Sequence, residues 1–277
     1  MYFSAKGFCF DVSDRTLIMG ILNITPDSFS DGGRYLDPEK AVGHACRMLQ
    51  EGADILDIGA QSTRPGCREI GPDEEWERME PVLRALVKET SCPISIDTFY
   101  PEVAKWALDA GAHIINDVSG CAHKGMLETV AAADAAIVIM HPGDASKVDG
   151  QVAYPRGVVE EVRDFLHKAA LRARGYGLPA HAICLDPGIG FGKTMAENLA
   201  LVKAGPTVEG YPWLVGASRK RVTSAFSADA SADRRLGGTI AVHTAAQLSG
   251  AHILRVHDVF EGVQAARTID ALLGKGR

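Results

Sequence analysis

The chain has 277 residues, 46% hydrophobic and 23% charged, with a formal net charge of −6. A chain this long buries a large core without metal or disulfide staples, and its acidic balance argues against a general nucleic-acid binder. No long apolar stretch approaches the roughly 20 residues that span a bilayer, which excludes a helical membrane span.

Residues 2–12 alternate weakly around Lys6-Gly7 and predict a small hairpin at the bottom of the fold. The first apolar run covers residues 16–25 and leads through a polar loop to Asp37-Pro38, an N-cap and first-turn pair that starts a helix ending at Glu51-Gly52. The unit then repeats. Strands are predicted at 54–60, 93–97, 113–118, 136–141, 183–186, 213–218 and 252–257. Helices are predicted at 73–90, 101–110, 125–133, 155–174, 197–203, 233–249 and 259–273. The strands are almost continuously apolar, as parallel strands buried on both faces should be. Eight strand-helix units with no linker predict a (β/α)8 barrel as a single domain over residues 1–277. The longest loops follow the first, second, fifth and seventh strands, on the face that carries active sites in this fold.

Nearly every run ends in a polar residue. In order these are Asn23, Ser62-Thr63-Arg64, Asp97, Asn116, His141, Asp186, Ser218-Arg219-Lys220, and Arg255 with His257. Taken singly, each has an ordinary structural reading: a solvated loop, a helix cap or an ion pair. Together they converge on one rim. Arg64, Arg255 and His257 are three potential cations suited to phosphate oxygens. Asn23 offers an amide oxygen to a hard cation such as Mg²⁺. Asp97, Asn116 and Asp186 suit a heterocycle edge with adjacent donors and acceptors. The stretch 186–194 (DPGIGFGKT) is not a phosphate-cradling P-loop, because Pro187 stands where the first glycine is required.

The six cysteines are scattered with no C-x-x-C pair, which argues against a zinc site and for reduced thiols, with Cys46 and Cys184 as small core residues. With no secretory leader pattern, the expected location is the cytoplasm.

These motifs resemble one family closely, dihydropteroate synthase. The matching segments are 19–33 (MGILNITPDSFSDGG), 62–66 (STRPG), 95–98 (SIDT), 114–117 (IIND), 185–193 (LDPGIGFGK), 218–220 (SRK) and 255–258 (RVHD), in family order. The resemblance implies a folate-pathway transferase. Its reaction joins 6-hydroxymethyl-7,8-dihydropterin diphosphate to 4-aminobenzoate, giving 7,8-dihydropteroate and diphosphate. It also implies roles. Asn23 helps hold Mg²⁺, and with Thr63, Arg64, Arg255 and His257 it handles the diphosphate. Asp97, Asn116, Asp186, Lys220, Met140 and Phe191 hold the pterin. Phe29, Pro65, Phe191, Lys220 and Arg221 line the aminobenzoate end. Asp97, Lys220, Asn23, Arg255 and His257 carry catalysis. A homodimer and sulfonamide sensitivity are further family expectations.

Three positions depart from the pattern. Gln61 replaces a usual glutamate, Arg221 a usual serine, and the stretch after Met140-His141 lacks the family's usual sequence. Two other readings share the barrel: a pterin-binding paralogue without synthase activity, and a corrinoid-linked methyltetrahydrofolate methyltransferase domain. The first loop and Arg255-Val256-His257 argue against the latter, since they suit a diphosphate.

Overall fold

A computed structural model describes residues 1–24, 37–61, 68–143, 154–224 and 231–276. Two antiparallel strands, β1 (Tyr2–Ala5) and β2 (Phe8–Asp11), form the opening hairpin. Eight parallel strands follow: β3 (Leu17–Asn23), β4 (Ile55–Gly59), β5 (Ile94–Asp97), β6 (Ile114–Asp117), β7 (Ala136–Met140), β8 (Ile183–Asp186), β9 (Leu214–Val215) and β10 (Ile253–Val256). They alternate with α1 (Pro38–Gln50), α2 (Pro72–Glu89), α3 (Pro101–Asp109), α4 (Met126–Ala132), α5 (Val158–Gly175), α6 (Met195–Ala204), α7 (Leu236–Leu248) and α8 (Val259–Leu272).

The strand order is β8-β7-β6-β5-β4-β3-β10-β9. A parallel bridge between Leu185 and Trp213, with the Leu185 N–H donated to the Pro212 carbonyl at 2.9 Å, brings the two ends together. The result is the expected (β/α)8 barrel. Its strands are apolar on both faces because both are covered: Ile18, Leu56, Ile58, Ile96, Ile115, Ile137 and Leu185 are fully buried. Each such side chain stabilises the fold by about 1.5–3 kcal/mol relative to exposure. The helices bury one stripe each; α2 turns Met79, Val82, Leu83 and Leu86 inward at helical spacing. Asp37 caps α1 through the Glu39 and Lys40 N–H groups, as its position before Pro38 predicts.

The hairpin closes the N-terminal end of the barrel. Phe3 is fully buried, Phe8 packs edge-on to His113 at 4.9 Å, and Lys6 Nζ donates to the Leu108 carbonyl at 2.9 Å. The same end holds a polar network. Asp54 accepts from Arg15 (2.7 Å) and the Ile18 N–H (2.8 Å). Asp270 accepts from the Thr16 N–H (3.1 Å), the Thr16 hydroxyl (3.0 Å) and Gln247 (2.8 Å). Arg267 reaches both acids.

Three expectations need correction. The seventh barrel strand is two residues long, not six, because past Val215 the backbone donors turn to side chains. The Ala217 N–H donates to His243 Nε2 (3.1 Å) and the Arg219 N–H to Thr239 Oγ1 (3.0 Å). The helix after β8 starts earlier, at Met195, because Thr194 and Glu197 form a reciprocal capping box. Cys46 is half-buried rather than a core residue, whereas Cys184 is buried as expected; all described cysteines are free thiols. Among the described residues no helix is long and apolar enough to cross a membrane.

Candidate active site

Side chains alternate along a strand, so Asp57 with Gly59, Ser95 with Asp97, and Ile114 with Asn116 share one face each. Contacts across the barrel identify that face as the interior. Arg255 on β10 donates through Nε to Asp57 Oδ2 (2.6 Å) and through Nη2 to Asp97 Oδ2 (2.7 Å). Asn116 Nδ2 donates to the same Asp57 oxygen at 3.1 Å. One arginine thus joins β4, β5 and β10, and Asn116 adds β6.

Asp57 is the residue that the sequence reading missed. It is fully buried, and its Oδ1 has no hydrogen-bond partner among the described residues. An acid in the middle of the run 55–59 (ILDIG) was the available signal, since a buried carboxylate needs a partner. Burial works against the charge of Arg255, but Asp57 and Asp97 outweigh it and hold the guanidinium charged. Burial likewise pushes the Asp97 carboxyl up, and Arg255 opposes that rise.

The other half of the rim lies across the seam. Asp186 ends β8 opposite Met140 of β7 and accepts the Gly188 N–H on Oδ1 at 2.7 Å. Burial raises its pKa, and the nearby Lys220 ammonium opposes the rise. Lys220 follows β9; its Nζ donates to the Ile189 carbonyl at 2.7 Å and sits 4.4 Å from the centre of the Phe191 ring. Burial pulls the Lys220 pKa down to about 8, against the pull of Asp186. Gly190 makes this approach possible: it has φ +84°, and a Cβ there would lie 2.8 Å from Lys220 Cδ. Buried Lys193 staples the loop from inside, donating to the carbonyls of Gly188 (2.9 Å) and Phe191 (3.1 Å).

His257 sits just past β10, and both its N–H and its Nδ1 meet Ser218 Oγ, at 3.1 and 3.0 Å. Burial first, then Arg255 and Arg219, lower its pKa to about 3. It is therefore a neutral hydrogen-bonding group, not the third cation that its type suggested. Arg221 is exposed at the start of the short turn Arg221–Ser224. Buried His141 packs edge-on to Phe165 at 5.0 Å, with its pKa also pulled to about 3 by burial. Phe29, Thr63, Arg64 and Pro65 lie outside the described residues.

Asn23 ends β3 in register with Gly59, which is itself in register with Asp97. A Cβ on Gly59 would lie 3.8 Å from Asn23 Oδ1 and 3.7 Å from Asp97 Oδ2, so the bare glycine leaves room between these two oxygens. No cluster of three or more His, Cys, Asp or Glu side chains among the described residues could hold a metal by itself. This fits Mg²⁺ only in its usual mode at phosphates, where the protein supplies one or two oxygens and the ligand and water supply the rest.

The unspent hydrogen-bonding capacity defines what can bind. Among the described residues, Asn116 has a free amide oxygen, Asp97 and Asp186 each keep one uncommitted carboxylate oxygen, and Lys220 keeps two N–H donors. That is the complement of a flat heterocycle with mixed edges.

A family model described as "Pterin binding enzyme" matches residues 19–257. A dihydropteroate synthase from Synechocystis sp. is 43% identical over 267 residues, covering 95% of this chain and 92% of that one. Among solved structures, dihydropteroate synthase from Xanthomonas albilineans with 4-aminobenzoic acid superposes with a TM-score of 0.90 at 39% identity, covering 99% of each chain. The Xanthomonas albilineans enzyme in complex with 7,8-dihydropteroate gives 0.88 at 37% identity, covering 100% of each chain.

Proposed function

The chain belongs to the pterin binding enzyme family, and on that footing we infer that it is a transferase of folate biosynthesis with dihydropteroate synthase activity. The reaction joins a pterin-methyl group to the amine of 4-aminobenzoate. We further propose that the pterin arrives as its 6-hydroxymethyl-7,8-dihydro diphosphate and that diphosphate leaves. The observation that carries this reading is the interior set Asp57, Asp97, Asn116 and Arg255, facing Asp186 and Lys220 across one rim.

In this scheme Asp97, Asn116, Asp186 and Lys220 hold the pterin edge, while Met140 and Phe191 pack on its faces. Asn23, Thr63, Arg64, Arg255 and His257 take the diphosphate. Phe29, Pro65, Phe191, Lys220 and Arg221 line the aminobenzoate end. Asn23 would hold Mg²⁺ together with the diphosphate oxygens; when bound, the ion neutralises charge on the leaving group. Arg255 has one side committed to carboxylates, so it is pre-oriented and needs no reorganisation as charge develops. In this proposal Asp97, with Asp57 beside Arg255 behind it, stabilises the positive pterin-methyl group electrostatically. The arylamine is a neutral nucleophile and needs no strong base, so we propose a dissociative substitution with no covalent enzyme intermediate. The described free thiols are consistent with a cytoplasmic setting. The exposed Leu248, Phe260 and Leu272 on α7 and α8 support a homodimer.

The test is diphosphate release by the purified protein from the pterin diphosphate and Mg²⁺, with and without 4-aminobenzoate. Aminobenzoate-dependent release with formation of 7,8-dihydropteroate is the expected result. Pterin binding without turnover would instead identify a paralogue that has lost the second substrate.

A further inference from the structure

Glu75 stands in the first turn of α2, where an acid ordinarily faces solvent and complements the helix dipole. Its neighbour Glu74 does so and pairs with Arg68 and Arg78 on the surface. Glu75 does not: it is 1% exposed, and no ion pair with it is formed among the described residues. It lies directly behind the end of β5. Thr98, the residue after Asp97, is 2% exposed and donates its hydroxyl to Glu75 Oε2 at 3.2 Å. The same hydroxyl accepts the Tyr100 N–H at 3.2 Å, and the Thr98 N–H reaches the Asn116 carbonyl at 3.2 Å. The other Glu75 oxygen is buried without a partner among the described residues.

We propose that Glu75 is a positioning residue for the reaction: sealed behind β5, its carboxyl fixes the Thr98 hydroxyl and, through that residue, the reach of Asp97 to Arg255. This rests on the synthase reading above and adds to it a residue that touches neither substrate. Glu75 from α2 and Asp97 at the end of β5 are like charges close together, which disfavours ionising both. Burial, followed by the Asp97 charge, pushes the Glu75 carboxyl up to about 8; burial also raises Asp97, but Arg255 opposes it and leaves that carboxyl at about 7, so Glu75 is the acid that keeps its proton to higher pH. The other charges around Asp97 are Arg255 from β10, Asp57 from β4, Lys220 after β9 and Asp117 from β6. As a neutral acid, Glu75 leaves Asp97 free to be the anionic partner of Arg255. Once ionised, it would place a second negative charge behind that pair.

The experiment compares wild type, Glu75→Gln, Glu75→Ala and Thr98→Val as full chains, reading kcat and KM for each substrate, thermal stability and direct pterin binding by calorimetry. Glu75→Ala and Thr98→Val are expected to lower kcat/KM for the pterin substrate by about tenfold, leaving KM for 4-aminobenzoate unchanged. Glu75→Gln, a neutral isostere, is expected to stay within about threefold of wild type near neutral pH. It should also fall less steeply than wild type above about pH 8, where the Lys220 contribution is common to both proteins. The proposal is overturned if Glu75→Ala or Thr98→Val lowers stability but keeps full pterin kcat/KM, or if the wild-type and Glu75→Gln profiles superimpose. If Glu75→Ala does not fold, Thr98→Val and the Glu75→Gln profile decide. If wild type makes no dihydropteroate, the synthase reading fails, and calorimetry still decides this one: weaker pterin binding to Glu75→Ala supports it and equal binding sinks it.

Discussion

The two ends of the barrel handle buried charge in opposite ways. At the N-terminal end, all four carboxylate oxygens of Asp54 and Asp270 find donors, with Arg15, Arg267, Thr16 and Gln247 as internal partners, although Arg15 Nη1 is itself buried without a partner among the described residues. At the C-terminal end, Asp57 Oδ1 and Gln61 Oε1 are buried without partners among the described residues, and Lys220 and Asp97 are shifted by burial. Saturated networks stabilise a fold, whereas unsaturated ones hold binding capacity in reserve at a cost in stability. The difference marks which end works on a ligand and which end holds the ring shut.

Substitutions can break this contrast. The largest effect should come from Lys220→Met, which removes a donor at the rim. Activity should drop by about 10²–10³-fold in pterin kcat/KM, while the thermal midpoint stays level or rises because a half-buried ammonium is gone. A fall in both would mean that the rim is structural. At the opposite end, Asp270→Ala should lower stability by about 3 kcal/mol in urea titrations and leave kcat per folded molecule unchanged, because its four donors lose their acceptor.

A third effect spans both ends. His252 accepts the Trp213 N–H at the base and His243 the Ala217 N–H near the rim; burial pulls both pKa values from 6.5 to about 4. The unfolded chain protonates these rings near pH 6.5 and the fold only near 4, so the unfolded state binds more protons between these values. Stability should therefore fall as pH drops below about 6.5, by at most about 1.4 kcal/mol per pH unit for each histidine. A flat stability profile from pH 6.5 down to 4.5 would refute buried neutral imidazoles. The smallest effect is Phe191→Leu: losing the ring beside Lys220 should cost about 1 kcal/mol, read as a severalfold rise in KM.

The barrel was legible because strand runs and helix stripes obey different periods, and the rim because polar residues interrupt apolar runs at their C-terminal ends. What escaped depended on three-dimensional burial. Asp57 sits mid-strand, where it reads as part of an apolar run until Arg255 is seen against it. Glu75 shares a helix turn with Asp73 and Glu74, and nothing in the residue type says which of them turns inward. His257 counts as a potential cation until burial beside Arg255 makes it neutral. The short β9 escaped because its ladder is ended by His243, a side chain 26 residues further on.

That short strand leaves the ring with one weak clasp. Among the described residues, seven of the strand junctions are ladders, whereas β8 meets the β9 segment through the single bridge at Leu185 and Trp213. Asp186 and Lys220 stand on the two sides of that clasp. A heterocycle gripped by both therefore spans the gap like a rivet, tightening the ring where it is least continuous. In amide exchange, the Leu185 N–H should be less protected than the Ile58 N–H in the empty protein, and it should slow most when the pterin is bound.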